Sequence, residues 1–265
     1  MRTDFLSGIT DVSGARCFNG YAAQGMAIYG DYAFLLNDGG MCRIYDLKKK
    51  KVENSFFLAS ADSTNHANSV SFGVEYFGGN TLFPCIYISE CLIPCRCFVE
   101  SINTEGSKLV QTLQFGLNGK PEPIQTWIVD VKSKKLYGLS QKRYIPNKPY
   151  ITIRCFRLPL LAEGDIIFTE KDIENQFDIL LPNLLQGGVV RDSLLYLPVG
   201  SGGKGSDEIS ERAMVLINLR QQKIADKIVL NDLTKNEPED VDFYRDELLM
   251  YCGQRGGLWK VDINN

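Results

Sequence analysis

Short runs of alternating apolar and polar residues fill most of this chain, and each run ends at a cluster of Gly, Asp, Asn, Lys or Arg. That period of two is the pattern of half-buried β-strands separated by tight turns. The clearest copy is Glu237-Pro238-Glu239-Asp240-Val241-Asp242-Phe243-Tyr244, then the turn Arg245-Asp246-Glu247, then the apolar run Leu248 to Cys252. The same order of polar entry, strand, turn and strand begins at Gln24, His66, Gln125 and Gln186. Starts at 24, 66, 125, 186 and 239 are spaced by 42, 59, 61 and 53 residues. Repeats of this length point to stacked supersecondary units.

Each unit carries more strand-like runs. Third strands are predicted at 41–46, 96–99, 151–157, 213–218 and 257–262, and fourth strands at 52–58, 108–115, 165–169 and 223–230. The fifth unit lacks a fourth strand before Asn265, and residues 2–9, otherwise an orphan, supply it. Four antiparallel strands per unit, with the N-terminus completing the last, predict an all-β fold: one five-bladed β-propeller domain over residues 1–265. A terminal strand shared in this way joins the first blade to the last and leaves no free edge between them. The one helix-like stretch is Lys171 to Leu180, between blades three and four.

Composition narrows the function classes. With 29 basic and 32 acidic residues the formal net charge is -3, so nucleic acid is not expected as a partner. No apolar run reaches the roughly 20 residues that span a bilayer, so no transmembrane segment is expected. The chain opens Met1-Arg2-Thr3-Asp4 with no signal-peptide pattern, which leaves a cytoplasmic protein or a mature envelope protein without its leader. A monomer is expected. Eight cysteines include Cys85, Cys91, Cys95 and Cys97 within thirteen residues, yet no pair has zinc-knuckle spacing and the one histidine, His66, is distant. Cys42, Cys97 and Cys155 fall in third strands and Cys85 and Cys252 in second strands, as core thiols would. Cys91 and Cys95 fall in a loop and are the two expected to be exposed, paired or reactive.

In a propeller the first strand of each blade lines the central channel. The residues opening those strands, Gln24, His66, Gln125, Gln186 and Glu239, are all polar and should ring one mouth of it. They can orient a ligand, or they can tie neighbouring blades together through buried hydrogen bonds. The loops joining second and third strands share that rim, and bring Lys142, Arg143, Lys204 and Arg255 to it, with Lys148 beside them. Asn68 lies close to His66 in the second copy. The run Gly200-Ser201-Gly202-Gly203-Lys204 misses the P-loop spacing and reads as a hairpin loop. Four lysines, 48 to 51, belong to a solvated turn on the opposite rim.

Gln24-Gly25, His66-Ala67-Asn68-Ser69, Gln186-Gly187 and Glu237-Pro238-Glu239 resemble the blade openings of a five-bladed propeller family. That family includes the propeller domains of phage receptor-binding proteins and of teichoic-acid-associated bacterial proteins. The resemblance spans nearly the whole chain in its spacing and about a dozen residues in its motifs. It implies recognition of a surface glycan or polyol-phosphate at the polar mouth, and no established catalytic residue. The chain departs from the pattern at Asp240, where glycine commonly follows Glu-Pro-Glu, and at Gln125-Thr126, where the Gln-Gly pair is lost.

The expected function is therefore a ligand-binding propeller for a carbohydrate or polyol-phosphate, contacted by Gln24, His66, Asn68, Gln125, Gln186, Glu239, Lys142, Arg143, Lys204 and Arg255. Binding is expected ahead of catalysis, and no catalytic residue is assigned. One alternative is a hydrolase or lactonase using Glu239 with a second carboxylate, from Asp38, Glu90 or Glu237, or with a divalent ion. Glycoside hydrolysis would need two carboxylates about 5 to 10 Å apart. A Ser-His-Asp triad has no nucleophile-elbow motif to support it. Another alternative is a protein-interaction scaffold. No cofactor or metal is expected; a calcium ion on Glu239 in the channel is the exception kept open, though no loop has calcium-binding spacing.

Overall fold

The computed structural model describes residues 3–5, 22–62, 64–79, 81–103, 105–142, 150–201, 211–230, 236–253 and 257–261. It is an all-β propeller of five antiparallel sheets. Strand β1 (Thr3–Phe5) stands apart at the start of the chain. The first blade is β2 (Ala23–Tyr29), β3 (Tyr32–Asn37), β4 (Met41–Asp46) and β5 (Lys51–Phe57), in that spatial order. Blade two follows as β6 (Asn65–Phe72), β7 (Ile86–Cys91), β8 (Cys97–Asn103) and β9 (Gly106–Leu117), with the two-residue β10 (Lys120–Pro121) beyond β9. Blade three starts with β11 (Thr126–Asp130), β12 (Lys135–Lys142) and β13 (Tyr150–Arg157).

Between blades three and four the structure departs from the expected strands. The predicted fourth strand at 165–169 is instead β14 (Ile166–Phe168), which pairs in parallel with β9 of blade two, Ile166 opposite Leu113 and Phe168 opposite Phe115. The helical turn Glu170–Asp172 covers the start of the helix-like stretch, and the rest of it is β15 (Ile173–Leu180), the true outer strand of blade three. Ile173, Phe177 and Ile179 fall at a period of two, but Asn175 interrupts that face and Glu174, Gln176 and Asp178 lie between, so little apolar signal marks the strand. At the register shift Glu174 is the extra residue of β15.

Blade four is β16 (Val189–Arg191), β17 (Leu194–Val199), β18 (Ala213–Asn218) and β19 (Lys223–Val229). Blade five is β20 (Pro238–Tyr244), β21 (Glu247–Cys252) and β22 (Leu258–Val261), with β1 as its outer strand: Thr3 lies opposite Val261 and Phe5 opposite Trp259. The rest of the N-terminal stretch proposed for this role lies outside the described residues. Around the axis, β2 packs on β6 and β20, β11 on β6 and β16, and β16 on β20, so the inner strands close a ring.

The core is not one mass but five apolar wedges, one between each pair of neighbouring blades. Blades one and two meet through Phe34, Phe72 and Phe83, whose rings contact edge-on with centroids 4.9 Å apart for Phe34 with each of the other two. Phe83 lies just ahead of β7, which begins at Ile86. The fully buried Trp127 anchors the wedge between blades two and three, with Phe156 and Phe168 against it. Inner strands are therefore covered on both sides, and only at their ends do side chains meet open space.

Candidate functional site

The five opening residues converge. Gln24, His66, Gln125, Gln186 and Glu239, together with Asn68, line one cavity of about 470 Å³ at the end of the central channel. That is within the usual range of small-molecule pockets, roughly 300–1,000 Å³. Ala22, Cys91, Leu92, Leu184, Leu185, Gln141 and Glu237 complete its wall.

The openers differ in how they are held. Gln125 and Gln186 are ties between elements. The Oε1 of Gln125 accepts the backbone N–H of Gln141 at 3.0 Å. The Nε2 of Gln186 donates to the Gly200 carbonyl at 3.1 Å and to Oε1 of Glu237 at 2.8 Å. In blades one, two and five the opener sits instead in a β-bulge: pairing slips between Ala23 and Met26, between Asn65 and Ser69, and between Pro238 and Asp240. A bulge leaves residues unpaired and re-aims their side chains, and here it turns Gln24, His66, Asn68 and Glu239 toward the cavity. Gln24 Oε1 and Asn68 Nδ2 are buried with no hydrogen-bond partner among the described residues. A buried polar atom without a partner costs about 1–3 kcal/mol, so both positions call for a ligand or water.

Local sequence builds these bulges. Ala67 takes a left-handed backbone, φ 48°, and Asn65 holds it there: its Oδ1 accepts the Ala67 N–H at 3.0 Å and its Nδ2 donates to Ser60 Oγ at 2.8 Å. Gly25 lets β2 approach the Ala67 carbonyl, which a Cβ at that position would meet at 2.7 Å. The residue after each opener thus decides what can sit in the channel behind it. In blade four it is Gly187, where a Cβ would stand 2.1 Å from Oδ1 of Asp240. In blade three it is Thr126, whose hydroxyl donates to the Gln186 carbonyl at 3.0 Å.

In blade five that residue is Asp240, and its carboxylate is the hub of the ring. Oδ2 accepts the N–H groups of Met26 at 2.9 Å and Val70 at 3.1 Å; Oδ1 accepts those of Gly188 at 2.7 Å and Val241 at 2.9 Å. One side chain so links blades one, two, four and five. Burial pushes its carboxyl well above the ordinary range, and the four N–H donors pull against that. The departure from glycine at this position is what plugs the channel, and it was visible in the sequence only as a break in the opener pattern.

Glu239 is buried, and burial, reinforced by Glu237, Asp240 and Asp38, drives its carboxyl well above the usual carboxylate range. Gly253 packs directly against it: a Cβ there would lie 2.0 Å from Glu239 Oε1. His66 is half-buried, and burial lowers its pKa against the opposing pull of Asp38. The described wall therefore carries no fixed positive charge. Arg143, Lys204 and Arg255, with Lys148, lie outside the described residues; Lys142 ends β12, and only its backbone is described.

Other expectations are corrected. Glu90 does not reach the cavity: Arg96 clamps it, Nη2 on Oε1 at 2.6 Å and Nε on Oε2 at 3.0 Å, with Thr64 also donating to Oε1. Burial would raise its carboxyl, and these bonds outweigh that and hold it below the ordinary range. Asp38 accepts the Ala22 N–H at 2.8 Å. Cys95, expected in an exposed loop, is buried and donates its thiol to the Cys91 carbonyl at 3.0 Å, its pKa pushed up to about 12 by burial. Cys85 sits one residue ahead of β7 and is buried, and none of the described cysteines is in a disulfide. Among the described residues no group of three His, Cys, Asp or Glu side chains is placed to hold a metal, and no helix is long and apolar enough to cross a membrane.

No family model matches the sequence, and no curated protein does. Among solved structures, the Kuenenia stuttgartiensis hydrazine synthase is similar over 86% of this chain at 12% identity and a TM-score of 0.46. This chain spans 61% of that one, and a likeness so distant carries no argument about chemistry.

Proposed function

We propose that the protein is a ligand-binding propeller whose polar mouth holds a carbohydrate or polyol-phosphate. The observation that carries this reading is the convergence of five polar strand openers on one cavity, where Gln24 Oε1 and Asn68 Nδ2 are buried and unpartnered. Leu92, Leu184 and Leu185 on the same wall supply apolar surface for the C–H face of a sugar ring. The resemblance of the openers to those of phage receptor-binding and teichoic-acid-associated propellers points the same way. Calorimetric titration against a broad panel of glycans, polyols and sugar phosphates tests it: binding is expected, and Gln24→Ala, His66→Ala and Glu239→Ala should each weaken it. Silence across the panel, or binding indifferent to all three changes, defeats the reading.

One observation favours hydrolysis as a second reading: Glu237 and Glu239 share the cavity wall, and burial raises the Glu239 pKa, the direction a general acid needs. Turnover of chromogenic glycosides and lactones that Glu239→Gln abolishes would support it, and inertness toward both substrate classes would remove it.

A further inference from the structure

The mouth is not symmetric, and its asymmetry specifies a ligand. Blades five, one and two are consecutive around the ring, because β2 packs against both β20 and β6. They are also the blades whose inner strands bulge at the opener. On this arc stand Gln24, Asn68, His66 and Glu239, for none of which a side-chain hydrogen bond exists among the described residues, while on the other arc Gln125 Oε1 and Gln186 Nε2 are bonded to the protein itself. Gln24 and Asn68 line the same cavity, and the residues beside them, Gly25 and Ala67, approach closely.

We infer, resting on the ligand-binding reading above, that the ligand sits off the propeller axis against blades five, one and two, and that it is an uncharged compound with adjacent hydroxyl groups. Gln24 leaves an acceptor open and Asn68 a donor. A hydroxyl gives one proton and accepts another, so two neighbouring hydroxyls satisfy both atoms at once. A phosphate or carboxylate offers acceptors only. It would meet the unpartnered Gln24 oxygen and the carboxyls of Glu237 and Glu239. Glu239 lies on the same wall, and burial raises its pKa, which favours the protonated form that would donate to a hydroxyl oxygen.

The test is a titration series at pH 7 comparing glucose, galactose, mannose and myo-inositol with their phosphates, uronic acids, amino sugars and deoxy analogues. The uncharged compounds should bind about tenfold or more tightly than the charged ones, and loss of one of two adjacent hydroxyls should cost a similar factor. Asn68→Ala and Gln24→Ala should weaken binding by about tenfold, whereas Gln125→Ala should change it by less than about threefold. Glu239→Gln, which keeps a donor, should retain most of the affinity that Glu239→Ala loses; thermal melts verify that each variant is folded, and His66→Ala replaces any that is not. Preference for a charged form, equal damage from Gln125→Ala and Gln24→Ala, or equal damage from Glu239→Gln and Glu239→Ala overturns this inference while leaving ligand binding intact. Absence of all binding overturns the parent reading as well.

Discussion

The two mouths of the central channel are built from the same five strands and differ in nearly every physical respect. The mouth opposite the candidate site is a cavity of about 450 Å³ walled by residues such as Phe72, Val129, Val190, Val241 and Phe243. Its basic side chains are paired in place. Lys132 pairs with Asp192 at 2.7 Å, and Arg191 pairs with Asp246 at 2.7 Å while lying 4.5 Å above the Phe243 ring. Its one recessed carboxyl, Asp242, accepts the N–H groups of Ile28 at 2.6 Å and Phe243 at 2.7 Å. There the inner strands of blades one, two and five pair in regular register; at the polar mouth the same strands bulge. Polarity alone does not make a binding site here, since both ends carry polar groups. The bulge does, by aiming side chains where the protein has no partner to offer.

Asp240 separates the two ends, and removing it should have the largest effect. Asp240→Ala strands four buried N–H donors from four blades, and we expect a loss of about 4 kcal/mol in urea unfolding. Asp240→Asn should cost about half as much, because one oxygen survives while the amide N–H₂ is turned against two N–H groups. If Asp240→Ala melts like the parent, the carboxylate is not the hub.

Next in size is a substitution confined to the polar end. Gly253→Ala drives a methyl into Glu239 and should cost about 2 kcal/mol of stability together with ligand binding, whereas Gly79→Ala, with open space around its Cβ, should change neither. Equal behaviour of the two variants would show that Glu239 can move aside.

The opposite mouth should respond to pH rather than to ligand. Burial raises Asp242 from its ordinary 3.8 to about 7. The unfolded chain therefore gives up this proton first as pH rises, so stability falls between about pH 4 and 7 and the full penalty stands above 7. Asp242→Asn removes that share of the slope. It should gain about 1 kcal/mol at pH 8, after allowance for water in the open cavity, and almost nothing at pH 4. Glu239 and Asp240, raised as well, leave a remaining slope of the same sign. A variant whose unfolding midpoint rises equally at both pH values would exclude titration as the cause.

The repeats made the propeller and its polar ring legible, because turn residues and period-two alternation are local properties. Gln24, His66, Gln125, Gln186 and Glu239 were recognisable as equivalents for that reason. What distinguished them was not local. Whether an opener is free or tied depends on bulges set by pairing with the next strand and on which carbonyl lies within reach, as Gln186 shows by bonding Gly200 and Glu237. The strand Ile173–Leu180 was hidden because Glu174, Asn175 and Gln176 break the apolar signal between Ile173 and Phe177. Asp240 did carry a sequence signal, an acidic residue where its siblings have Gly, Ala and Thr. Its meaning emerged only when four N–H groups from distant positions were seen to converge on it.

The smallest expected effect bears on where the ligand lies. Cys91 ends β7 at φ 65°, half-buried on the wall of the polar mouth, while the thiol of Cys95 is turned inward to its carbonyl. No cysteine lines the opposite mouth among the described residues. In a Cys17→Ser background, which removes a thiol outside the described residues, iodoacetamide should modify Cys91 first, since the other described cysteines are buried. Because Cys91 belongs to blade two, a ligand seated on blades five, one and two should slow that alkylation by about threefold or more, a shift readable by mass spectrometry. Fast labelling that ignores saturating ligand would place the ligand away from this arc, and the alkylated protein's affinity would then match the parent's. Slowed labelling with weakened affinity after modification would tie the bulged arc, rather than the ring as a whole, to recognition.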